Sequence, residues 1–224
     1  MLRLTAPPRT LSCLALGIVL WGGSLLALQQ RDLARVESKT RYVAPPLSVM
    51  SAIATDFENL LADSYWLLFL QMNGENLTIE AAAARDYRQA KPTLDLITGL
   101  DPHFHEAALF GSWVLADGDR LDEALDLIAA GMARHPEDYR YPYQMGVLEF
   151  LYGKRYLEAA HHFEAAAKLP GAPPGTRRFA ASMYARGSKQ ELAIATWRAI
   201  HQGATDAQSR AIAERALAKL GARP

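Results

Sequence analysis

Apolar positions along this chain fall into two regimes. The first is one unbroken run, Leu11 to Leu28, of 18 uncharged residues. As a helix it would span roughly 27 Å, close to the hydrocarbon thickness of a bilayer. The second regime begins after Pro45-Pro46 and is periodic. Ala and Leu dominate it, and no alternating strand pattern occurs. It predicts helices over 48–72, 80–100, 104–117, 121–134, 139–152, 156–168, 176–186, 189–201 and 206–220. The breaks carry turn chemistry at Asp101-Pro102, 116–119, His135-Pro136, Gly153, Pro170-Gly171 and Gly187-Ser188. Pro92 moves the start of the second helix to near Lys91, with the proline in its first turn. The fold expected is all-α.

The chain therefore divides into an N-terminal tail (1–10), a transmembrane signal-anchor helix (11–28), a stalk (29–47) and a helical repeat domain (48–224). Pro7 and Pro8 keep the approach to the anchor non-helical, and Gln29 to Asp32 end it. A cleavable leader would need a small-x-small site, and Leu25-Leu26-Ala27 does not supply one. Arg3 and Arg9 lie before the run, and Arg31, Arg35, Lys39 and Arg41 after it. The positive-inside count alone favours a cytoplasmic domain. The short tail before a signal-like run favours export, which is the expectation adopted.

A repeat is the strongest signal. Gly111 and Gly146, Gly118 and Gly153, Ala124 and Ala159, Ile128 and Phe163, and Gly131 and Ala166 are each 35 residues apart. The stretch GDRLDEA at 118–124 reads GKRYLEA at 153–159. A third copy follows 34 residues on, with Gly187, Ala193 and Trp197. Two helices per such period indicate a solenoid of stacked hairpins. The small residue at 111, 146 and 180 is expected to let the two helices of one hairpin cross closely. The large residue at 128, 163 and 197 is expected to fill the space between hairpins.

With Gly111, Ala124, Ile128, Gly131 and Pro136 in one copy, and Gly146, Phe150, Ala159, Phe163, Ala166 and Pro170 in the next, the chain resembles the tetratricopeptide repeat superfamily. The third copy reads Ala180, Tyr184, Ala193 and Trp197. The likeness covers about residues 104–201, with a degenerate copy near 56–102. Both central copies carry an extra residue in the inter-helix turn, and the third lacks the closing proline. The last helix is similar to the family's terminal cap, with Thr205-Asp206 supplying N-capping oxygens. The Pro-rich lead-in and Ala62-Asp63-Ser64-Tyr65-Trp66-Leu67 resemble the entry region of bacterial membrane-anchored members.

Charge sharpens the picture. Lys+Arg and Asp+Glu are 24 each, which disfavours a nucleic-acid binder. The balance is uneven. Residues 1–44 hold six basic and two acidic side chains, residues 45–169 nine and nineteen, and residues 170–224 nine and three. Such segregation either steers an oriented partner or only solvates the surface. The one cysteine, Cys13, excludes an internal disulfide and a Cys-based zinc cage. Phosphate-loop, nucleophile-elbow and zinc-protease patterns are missing from the sequence. His103 and His105 near one helix start and His161-His162 on another could in principle hold a metal. Adjacent helix residues point about 100° apart, so His161 and His162 do not share an ion. No enzyme activity, cofactor, metal or small-molecule substrate is expected.

The family resemblance implies a concave groove lined by the first helix of each hairpin. Its candidate contacts here are His105, Ser112, Arg140, Tyr143, Phe150, Arg177 and Tyr184. A terminal helix folded over that groove would instead make Tyr143 and Phe150 core. Ala108 and Ser112 replace the polar residues of the family's chaperone-carboxylate clamp, so that function is not expected. Asp63, in an apolar helix, is either a buried structural acid or an interface charge. The expected function is a non-catalytic scaffold or assembly factor, held in the bacterial inner membrane with its repeats in the periplasm, whose partners are other membrane or periplasmic proteins. The alternative is a permanent accessory subunit packed through its anchor, where Gly17, Gly22 and Gly23 would allow close helix contact.

Overall fold

A computed structural model describes Gly23, residues 42–74 and residues 87–223. The chain divides into Met1–Val43 and Ala44–Pro224. Apart from Gly23, which is helical, the expected membrane helix at 11–28 lies outside the described residues. Among the described residues no helix is long and apolar enough to cross a membrane.

The second unit is all-helical among its described residues. Its helices are α1 (Leu47–Ala54), α2 (Glu58–Gly74), α3 (Ala90–Leu100), α4 (His105–Asp117) and α5 (Leu121–Arg134). They continue as α6 (Arg140–Leu148), α7 (Tyr156–Ala167), α8 (Thr176–Arg186), α9 (Gln190–Gly203) and α10 (Ala207–Lys219). From α3 onward each helix packs on the next in sequence. Among the described residues the predicted helices recur closely, with one split; residues 80–86 of the expected 80–100 helix lie outside them. The expected 48–72 helix breaks at Thr55, whose φ of 46° lies in the left-handed region that a β-branched residue rarely enters. A 3₁₀ turn at Thr55–Phe57 then leads into α2. Pro92 sits in the first turn of α3, where its missing N–H removes no helical bond. Asp206 caps α10, accepting from the Ser209 amide at 2.7 Å.

Three turns repeat in detail. Asp119, Lys154 and Ser188, each one residue after a glycine, all have φ between 51° and 59°. In the first and third turns, Arg120 N donates to Leu115 O and Lys189 N to Tyr184 O, at 3.0 and 2.9 Å. These bonds satisfy carbonyls left open at the helix ends. The second turn reaches further, from Arg155 N to Glu149 O, because the helix widens into a π turn over Glu149–Gly153.

The core follows the chain. Its first part joins Phe69, Leu94, Ile97, Leu115, Leu127, Ile128, Tyr141 and Leu148. Trp66 links α2 to α4, stacking on Phe69 and meeting Phe104 and Phe110 edge-on, all with centroids 5.5–5.8 Å apart. The second part centres on Phe163, Met183 and Tyr184, and the third on Trp197, Ala213 and Leu217. Phe163 touches both Tyr143 and Phe179, so it fills space within its hairpin and towards the next. Gly146 closes within its hairpin as expected, against Ala159 and Phe163. At Gly111 the nearest neighbour is Leu94 of the preceding helix α3.

Candidate functional site

The α3–α4 turn and the α5–α6 turn lie side by side, because the repeat period places His135 about one hairpin after Asp101-Pro102-His103. Asp101 opens the first turn, its carboxylate accepting from the His103 amide at 2.8 Å. His105 then starts α4 and His135 ends α5. The ring centroids of His105 and His135 are 4.6 Å apart, and that of His103 is 5.3 Å from His135. One ring nitrogen from each of the three histidines lies within 4.8 Å of the other two.

Beside them is an open cavity of about 480 Å³ lined by His105, Pro136, Asp138, Tyr139, Arg140 and Pro170 among others. Arg140 grips Asp138 in a fork, Nε to Oδ1 at 3.0 Å and Nη2 to Oδ2 at 2.6 Å. That pairing, led by the side-chain hydrogen bond, holds the Asp138 carboxyl below its ordinary value and Arg140 above its own. Tyr141 is buried, and its hydroxyl lies 2.8 Å from His105 Nδ1. Burial first, and the nearby Asp138 charge second, push the phenol up to about 12, so it stays protonated. Partial burial and the Arg140 charge push His105 below its ordinary value, towards the neutral imidazole.

The expected groove residues part company here. His105 and Arg140 meet at this cavity. Ser112 is fully buried, donating to Leu109 O at 2.7 Å and accepting from Gln144 Nε2 at 3.0 Å. It pins α4 to α6 and presents nothing to a partner. Tyr184 is buried too, donating to Glu164 Oε2 at 2.9 Å, with burial and that carboxylate raising it to about 12. Phe150 is half-buried beneath the Arg186 guanidinium, 5.2 Å from its ring centroid. Tyr143 is half-buried against Phe163 and Phe179, so its packing comes from α7 and α8 and not from a terminal helix. Arg177 is exposed, as is Phe179, at 47%. Asp63 is exposed, which removes the buried-acid alternative and leaves that of an interface charge; Ala62 and Trp66 of the same motif face inward.

His161 and His162 diverge as helical geometry requires. His161 lies against Tyr184, and His162 lies 3.7 Å from Glu149 Oε2. The histidine that does join His103 and His105 is His135. The signal for it was the repeat itself, since adding one period to the α3–α4 turn lands on His135-Pro136.

Comparison with known proteins returns no matching family model and no significant match among curated proteins.

Proposed function

We propose that the chain is a membrane-anchored tetratricopeptide-repeat scaffold that holds or assembles other envelope proteins without catalysing a reaction. The recurrence of one hairpin turn at Asp119, Lys154 and Ser188 supports the repeat reading, and the Leu11–Leu28 run supports the anchor. The observation that carries the binding role is the aromatic patch of α6–α8. Phe179 stands nearly half exposed, its ring centroid 6.2 Å from Tyr143, on a platform completed by Phe163. Tyrosine and arginine are frequent energetic anchors at interfaces, and Arg177 begins the same helix. Tethering such a surface to a bilayer raises the local concentration of whatever it binds.

The test is a pull-down of the full-length chain from native membranes in mild detergent, read by mass spectrometry. Arg177→Glu with Phe179→Ser should lose one defined partner, with an unchanged circular dichroism spectrum and melting curve showing that the Phe163 packing beneath Phe179 has survived. A partner set unchanged by that pair of substitutions would sink the groove reading.

A second reading, a permanent accessory subunit, is favoured by a different surface. Val49, Ile53, Phe57, Leu60 and Leu67, on α1, α2 and the 3₁₀ turn between them, are all large, apolar and 48–67% exposed. Large exposed apolar side chains gathered in one stretch of chain suit a surface that a partner covers. Partners kept by the α8 variant but lost on removing residues 1–44, or with Leu60→Glu and Leu67→Glu, would favour this reading.

A further inference from the structure

We propose that His103, His105 and His135 form a binding site for a divalent transition-metal ion of the zinc class. Three imidazoles converge where two successive inter-hairpin turns meet, with one ring nitrogen each inside a 4.8 Å circle. Around a tetrahedral ion with bonds of about 2.0–2.1 Å, such nitrogens stand about 3.4 Å apart. His103 is exposed and can supply the remaining approach by rotating its side chain.

The hydrogen bonds around the His105 and His135 rings suit a metal site. Ligating histidines use their second nitrogen on a carbonyl, carboxylate or similar acceptor, which fixes tautomer and orientation. His135 Nε2 lies 2.7 Å from the Pro102 carbonyl, an acceptor only. The proton is therefore on Nε2, and Nδ1 keeps its lone pair. His105 Nδ1 lies 2.8 Å from the Tyr141 hydroxyl and 3.7 Å from Asp138 Oδ2. A proton on Nδ1 is donated to the Tyr141 hydroxyl, with the Asp138 carboxylate close by to favour it, and Nε2 keeps its lone pair to coordinate. Asp138, paired with Arg140, offsets part of the guanidinium charge beside the rings. Three protein nitrogens leave a tetrahedral ion one position short, as in open sites that carry water or an incoming ligand. His105 and His135 also line the 480 Å³ cavity, which offers such a ligand a path in. An ion held here would staple the α3–α4 turn to the α5–α6 turn and stiffen the junction between hairpins. This goes beyond the scaffold reading and does not rest on it.

The experiment uses full-length, detergent-solubilised protein without a polyhistidine tag, stripped with chelator and titrated with Co²⁺ and then Zn²⁺. One ion per chain is expected, with the intense visible absorption of tetrahedral cobalt, bleached by zinc. His103→Ala and His135→Ala should each weaken binding by at least about tenfold, and Asp138→Asn, which removes an orienting carboxylate, by about tenfold. His103→Ala alters an exposed turn side chain, so its loss of binding cannot be ascribed to misfolding. The double variant His161→Ala, His162→Ala should bind as the parent does. Absence of binding at micromolar metal, or binding that survives His103→Ala, would overturn the proposal.

Discussion

Glu149 carries the most perturbed carboxyl of the described structure. It sits at the start of the π turn, 6% exposed, and its Oε2 accepts no hydrogen bond. Burial first, then repulsion from Glu158, raises it to about 7 against the pull of Arg155. A carboxyl raised on folding binds its proton more tightly in the native state. Its stability is complete below the unfolded value near 4.5 and is lost as pH rises to about 7, a difference on the order of 3 kcal/mol. His162, pushed down chiefly by burial, works the other way and withdraws stability as pH falls below its ordinary 6.5. Glu149→Gln should therefore raise the melting temperature at pH 8 and leave it little changed at pH 5, at about 2–4 °C per kcal/mol. Thermal melts of parent and variant across that range check it; identical pH slopes would contradict the assignment. Nothing in the sequence flags Glu149, because its burial depends on where the wider π turn directs its side chain.

At the scale of elements, the sequence was most legible where local chemistry acts alone. Gly118, Gly153 and Gly187 marked the hairpin turns, Pro92 marked the first turn of α3, and Asp206 capped α10. It was least legible where tertiary neighbours decide. Ser112 and Tyr184 occupy positions that line the groove in the resembled family, yet Gln144 and Glu164 bury them as hydrogen-bond partners. The split at Thr55 follows from a backbone conformation that residue type disfavours, so propensity argues against it. Gly131 shows how a small residue encodes packing between helices. A Cβ there would lie 2.1 Å from Cε1 of Tyr141, the buried ring that ties α5 to α6 and touches His105 and His135. That ring is rigid and enclosed, so Gly131→Ala must displace it. The expected cost is about 1–3 kcal/mol by denaturant titration, outweighing the gain in helix propensity. A neutral or stabilising outcome would mean that the α5–α6 junction gives way more easily than its packing implies.

Across the second unit the buried side chains form successive clusters rather than one centre. Phe69 to Leu148 make one, Phe163 with Met183 and Tyr184 another, and Trp197 with Ala213 and Leu217 a third. Each helix from α3 on leans mainly on its neighbours in sequence. In such a stack stability is close to a sum of local terms and nearest-neighbour interfaces, so damage at one end need not reach the other. Leu217 is fully buried beneath α9 at the C-terminal end. Leu217→Ala should cost about 2–5 kcal/mol locally. Hydrogen exchange read by mass spectrometry should then speed up over α9 and α10, while amides of α3 to α5 keep their protection. Equal acceleration in both regions would mean that the stack unfolds as a single cooperative unit. Within this unit the charge is acidic over residues 45–169 and basic over 170–224, so the end loosened by this substitution is also the basic end. If a partner docks there by charge, its binding should restore protection over α9 and α10 at low salt and lose that effect as ionic strength rises.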